Sequence, residues 1–123
     1  MVQKICLDTD VTIAILNNDD GAFKLIERIE EFDVFISTIT LFELLQRETN
    51  LDIIEVFRDR VKILNFDELS SRKASSIYKD LKKKGKIVDF RDVFIAAICL
   101  VNNCKLATFN EKHFENIEGL KLV

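Results

Sequence analysis

Short apolar runs alternate with helix-length segments along this chain, and that alternation limits the fold more than any other feature. KICL (4 to 7), DVFIS (33 to 37), VKILNF (61 to 66), KLAT (105 to 108) and LKLV (120 to 123) read as strands. The segments between them are too long for hairpins, so the strands are expected to lie parallel in a sheet covered by helices on both faces. There is no Pro and there are only three Gly, which disfavours long irregular loops. Neither a linker nor a repeat interrupts the pattern, and one α/β/α domain over residues 1–123 accounts for it.

The helices are predicted from their periodicity and caps. The first covers residues 11 to 17, capped by Thr9 or Asp10. A second starts at Asp19 or Asp20, with Phe23, Ile26 and Ile29 on one face. A third opens at Thr40 with TLFELLQRE. A fourth covers 51 to 59, with Ile53, Ile54 and Phe57 inward. The fifth runs from an Asp67 cap to about Lys84 and is closed by Gly85. The sixth covers 89 to 102 and is apolar on nearly every side.

In open parallel sheets, ligands bind beyond the carboxyl ends of the strands. Asp8, with Asp10 close behind, comes directly after the first strand. Glu43 lies in the first turn of the helix after the second. Asp89 and Asp92 open the apolar helix, and Thr108 and Asn110 end the fourth strand. Each has an ordinary local explanation. Asp8 could be a turn residue or a helix cap, and Thr40 with Glu43 has the pattern of a capping box. Asp89 could be a cap with Asp92 favoured by the helix dipole, and Asn is common in turns. Their shared edge is harder to explain locally. Close carboxylates repel, and a divalent cation relieves that repulsion; all-oxygen ligands point to Mg²⁺ or Mn²⁺ rather than zinc. Such clusters suit displacement at phosphorus.

The net charge of −3 gives no global sign of nucleic-acid binding. KDLKKKGK (79 to 86) is a possible phosphate-contacting rim, although cations at a helix C-terminus are also stabilising in their own right. His113 reads as a surface residue. Cys6, Cys99 and Cys104 have no paired spacing and are expected to be buried free thiols. No signal-like or membrane-spanning stretch is visible, so a cytoplasmic protein is expected.

LDTDV, STITLFEL, DVFIAAICL and LATFNEKHFENIEGL occur in the order found in the PIN-domain ribonucleases, which the chain resembles over essentially its whole length, particularly the VapC-type toxins. The resemblance implies a five-stranded parallel sheet of order 3-2-1-4-5 and a metal-dependent endoribonuclease. It also implies a homodimer and a cognate antitoxin as partner. On it, Asp8, Glu43 and Asp92 form the acidic triad that binds Mg²⁺ or Mn²⁺, and Asn110 stands where the family has Asp or Asn. Asp10 stands where the family usually has Asn. Asp10, Asp89 and Thr108 are accessory candidates, Asp89 as a substitute for Asp92.

Two other readings compete. LDTDVT fits the D-x-D-x-T signature of haloacid-dehalogenase-like phosphatases, with Asp8 as nucleophile and Asp10 as acid/base. That reading leaves Glu43 and the T-x-N stretch unexplained. The other is a PIN-like scaffold that binds RNA or protein without cutting. A phosphorelay receiver matches in length but lacks an acid in the required place after the third strand.

Overall fold

A computed structural model describes residues 2–123. Four strands, β1 (Lys4–Leu7), β2 (Asp33–Ser37), β3 (Lys62–Leu64) and β4 (Lys105–Ala107), form a parallel sheet in the order β3-β2-β1-β4. The expected order therefore holds for four strands, but a fifth does not form. LKLV contributes only one parallel bridge, Leu106 to Leu122. It is tied to β4 by two backbone bonds, from Leu106 N–H to the Lys121 carbonyl and from Val123 N–H to the Leu106 carbonyl. Gly119, at φ +81°, turns the chain immediately before it.

Six α-helices occur among the described residues: α1 (Thr9–Leu16), α2 (Asp20–Ile29), α3 (Thr38–Leu45), α4 (Leu51–Arg58), α5 (Glu68–Lys83) and α6 (Phe90–Val101). Side chains alternate across the sheet, as strand geometry requires. Cys6, Phe35 and Leu106 face one core with Ala74, Ile77 and Leu81 of α5 and the buried face of α6. Ile5, Leu7, Ile36 and Ala107 face the other, with Val11, Leu25, Ile29, Leu44 and Ile54. The result is three layers. The three cysteines are free and buried, and burial pushes the Cys104 thiol up to about 11. No helix among the described residues is long and apolar enough to cross a membrane.

Some helix starts differ from the sequence reading. Asp8, not Thr9 or Asp10, is the N-cap of α1, and its Oδ1 accepts from the Thr9 N–H at 2.8 Å. Ser37 caps α3, its hydroxyl accepting from the Thr40 N–H at 3.1 Å, so the Thr40–Glu43 capping box does not form. Asp67 caps α5 through the Ser70 N–H as expected. Gly85, at φ +70°, closes that helix: its N–H reaches the Lys82 carbonyl while the Lys86 N–H reaches that of Leu81. On α2 the buried positions are Ala22, Leu25 and Ile29, while Phe23 and Ile26 lie exposed. On α4 only Ile54 is buried, and Ile53 faces out. In both helices the apolar residues outnumber the positions facing the core, so periodicity picked Ile29, Ile54 and the partly buried Phe57 correctly but also took in Phe23, Ile26 and Ile53.

Candidate functional site

Asp8 is the one buried charged residue among the described residues, with 6% of its surface exposed. The register of the central strands puts it there. Leu7 lies opposite both Ile36 and Ala107, so the next step along β1 carries Asp8 past the carboxyl edge beside Thr108. The Asp8 N–H still bonds the Ala107 carbonyl at 2.8 Å, which fixes the backbone. Its side chain accepts from the Thr9 N–H through Oδ1 and from the Thr108 hydroxyl through Oδ2, at 2.8 and 2.7 Å. No Lys, Arg or His among the described residues lies within ion-pair distance of it. Burial raises its pKa to about 6, and the charges of Asp10 and Asp92 push in the same direction, against the two hydrogen bonds.

Asp92, on the first turn of α6, has a pKa raised chiefly by burial. Its Oδ2 lies 3.2 Å from Nδ1 of His113. The imidazole, which the sequence suggested was a bystander, thus comes from the short 3₁₀ turn Glu111–His113 back to an acid at this edge. Only the short spacing from Thr108 could have hinted at it. Asp89 behaves differently. It caps α6 through the Arg91 N–H and forms an ion pair with the Arg91 guanidinium, which holds its carboxyl below the usual range. Its accessory position is therefore taken up by a cap and a salt bridge, while Asp92 turns toward the edge that holds Asp8.

Glu43 reaches inward from α3, with its Oε1 accepting from the Thr9 hydroxyl at 2.8 Å. That hydroxyl also meets Thr40 Oγ1 at 3.0 Å. The other carboxylate oxygen of Glu43 pairs with Arg91 at 3.2 Å. Thr9 and Arg91 are thus the contacts that orient Glu43, and neither stood out as a site residue in the sequence. Asp10 faces the loop after β4, where its Oδ2 accepts from Asn110 Nδ2 at 2.9 Å and from the Phe109 N–H at 3.2 Å. Asn110 in turn donates its backbone N–H to Thr108 Oγ1.

The seven sequence candidates therefore sit at one edge, linked by hydrogen bonds, ion pairs or the field of a neighbouring charge. They do not form a ready-made cage. Among the described residues no group of three acid, imidazole or thiol side chains is disposed to hold an ion. The expected convergence of three free carboxylates is modified: Glu43 is turned to Thr9 and Arg91, and Asp10 to Asn110. The site nevertheless fits a hard divalent cation on two observations. The donors that would meet it are carboxylate oxygens, and Asp8 is a desolvated anion without a positive partner.

Comparison with known proteins leads in the same direction. The PIN domain family pattern matches residues 5–120. Ribonuclease VapC1 of Methanocaldococcus jannaschii is 32% identical, over 98% of this chain and 87% of its own length. The tRNA(fMet)-specific endonuclease VapC of Shigella flexneri is 27% identical, over 96% of this chain and 95% of its own. Among solved structures, VapBC2 from Rickettsia felis bound to a DNA fragment from its promoter superposes with a TM-score of 0.87 at 25% identity. That match covers 98% of each chain.

Proposed function

The chain belongs to the PIN-domain family, among its VapC-type members, and on that premise we propose that it is a metal-dependent endoribonuclease acting as the toxin of a toxin-antitoxin pair. The observation that carries the reading is Asp8: a buried carboxylate without a cationic partner at the carboxyl edge of a parallel sheet, with Asp92 near enough to raise its pKa.

In this reading Asp8 and Asp92 hold Mg²⁺ or Mn²⁺, and Glu43 is either a further ligand or the group that orients water. Such an ion, when bound, supplies positive charge to a phosphodiester and lowers the pKa of water. The remaining work belongs to the chain. Thr108 fixes one oxygen of Asp8, leaving the carboxylate a single orientation. Thr9 does the same for Glu43. Asp10 holds Asn110 through its amide nitrogen, so the amide oxygen is left to accept from water or a ribose hydroxyl. Arg91, tethered by Asp89, keeps a guanidinium beside Glu43, where a phosphate oxygen would meet it.

The phosphatase alternative loses support. The family match covers residues 5–120, and the carboxylate of Asp10, which would be the acid/base, is engaged by Asn110 and the Phe109 N–H. We further propose that residues 1–123 act as one domain in the cytoplasm, as a homodimer, with a cognate antitoxin as partner. The VapC-type relationship supports each of these.

The test is cleavage of total RNA with Mg²⁺ or Mn²⁺ by the parent and by Asp8→Asn, with the cut sites mapped. Metal-dependent cleavage lost in the variant supports the reading. Equal products from both proteins, or none from the parent, would leave the non-cutting scaffold as the better description.

A further inference from the structure

Beside the acid edge lies an open cleft of about 600 Å³, between α2 and the segment after β4. Its size is typical of ligand clefts, which span about 300–1,000 Å³. One wall carries Lys24 and Arg28, a single helical turn apart on α2, and Lys112 comes from the opposite side. All three are exposed, and among the described residues none has a carboxylate within ion-pair distance. Among the described residues Glu111 is the only acidic side chain in the lining. On a chain of net charge −3, three unpaired cations around one concavity are a local reversal of sign.

Phe109 also lines this cleft, with half its surface exposed. The position is held from behind, because its backbone N–H is bonded to Asp10. An exposed ring beside unpaired cations is the combination that single-stranded nucleic acid uses, with a base stacking on the ring and phosphates meeting the charges. The cleft is continuous with the acid edge. Thr108 and Asn110 line it and are also bonded to Asp8 and Asp10. In contrast, Lys84 of the basic 79–86 stretch is already paired with Asp80 and Glu118.

We propose that this cleft is the track for the single-stranded RNA flanking the scissile phosphate, with Lys24, Arg28 and Lys112 on its phosphates and Phe109 under a base. The placement of the scissile bond rests on the nuclease reading; the binding of single-stranded RNA does not. Every additional phosphate contact steepens the salt dependence of binding, by about 0.7 in log–log slope for a single strand.

The experiment compares the parent with Lys24→Glu/Arg28→Glu, and separately with Phe109→Ala, by fluorescence anisotropy. The probe is a labelled single-stranded RNA of mixed sequence, about a dozen nucleotides long, in Ca²⁺. Circular dichroism confirms folding, and the milder Lys24→Gln/Arg28→Gln replaces the reversal if that variant is unstable. The double variant is expected to bind at least tenfold more weakly, with a salt slope shallower by about 1.4, two phosphates' worth. Phe109→Ala is expected to weaken binding at unchanged slope.

Equal RNA affinity and slope in parent and double variant would overturn the proposal. So would equal retention of a poly-glutamate peptide by the parent, which would mark a surface for acidic protein. If the parent binds RNA through these residues but cleaves nothing, the nuclease reading fails and the cleft stands.

Discussion

The hydroxyl of Thr108 donates to Oδ2 of Asp8 at 2.7 Å, joining residues one hundred positions apart in sequence. This bond is the main influence holding the Asp8 pKa down against burial. The same hydroxyl accepts from the Asn110 N–H, so one small side chain orders both the acid and the loop.

Thr108→Val keeps the shape and deletes both interactions. Stability at pH 8 is expected to fall by about 1–3 kcal/mol, the usual cost of a lost hydrogen bond to a charged group. The deficit should shrink near pH 5, where Asp8 carries a proton in the folded protein. Urea titrations at the two pH values measure this, and a pH-independent loss would mean that the hydroxyl matters only to the loop.

Asp8 itself is predicted to destabilise the metal-free protein at neutral pH. Its folded pKa, about 6, lies above the ordinary 3.8. Between those values the folded state holds more protons than the unfolded one, so stability falls as pH rises through that window. The full loss is on the order of 3 kcal/mol above pH 6. Asp8→Asn, measured in EDTA, is therefore expected to melt higher than the parent at pH 7.5, with the difference vanishing near pH 4. Its RNA cleavage should be lost. A variant that melts lower at pH 7.5 would show that the carboxylate is compensated in a way the structure does not reveal.

A cation that offsets the cost of burying this charge must stabilise the fold. Saturating Mn²⁺ or Mg²⁺, at about a hundred times its dissociation constant, should add about 2.7 kcal/mol. The parent's melting temperature should rise accordingly, with little change in Asp8→Asn and a reduced rise in Asp92→Asn. Calorimetric melts with and without the ion decide the matter; an equal rise in all three proteins would locate the ion elsewhere.

Arg91 pairs with one carboxylate oxygen of Glu43. Because the arginine is more than half exposed, Arg91→Ala should leave stability nearly unchanged. Removing this rival cation should tighten Mn²⁺ binding, as read by isothermal titration. If RNA cleavage nonetheless falls at saturating metal, Arg91 also contacts the phosphate.

Most of this edge was legible in the sequence because strands announce themselves by apolar runs, and the residues just past the ends of parallel strands must share a side. That placed Asp8, Thr108 and Asn110 from local pattern and Asp92 from a first turn; Glu43 lies a turn deeper than expected, because α3 begins at Thr38 rather than Thr40. The contacts among them were not legible. Ser37 displaced Thr40 as the cap because it ends β2 with an extended backbone and its hydroxyl meets the Thr40 N–H. That left Glu43 free to reach Thr9. His113 meets Asp92 because of the curl of a 3₁₀ turn, which carries little periodic signal. The fifth strand failed for a similar reason: alternation in LKLV is compatible with a strand, but the segment meets β4 at Leu106 alone, with Leu122 as the single bridge partner.

The last three residues are laced to β4 at Leu106, two positions before Thr108. A substitution that loosens this seam, such as Leu122→Asp, would slacken β4 just ahead of the hydroxyl that aligns Asp8, so damage far from the acids in sequence would surface as altered acid chemistry.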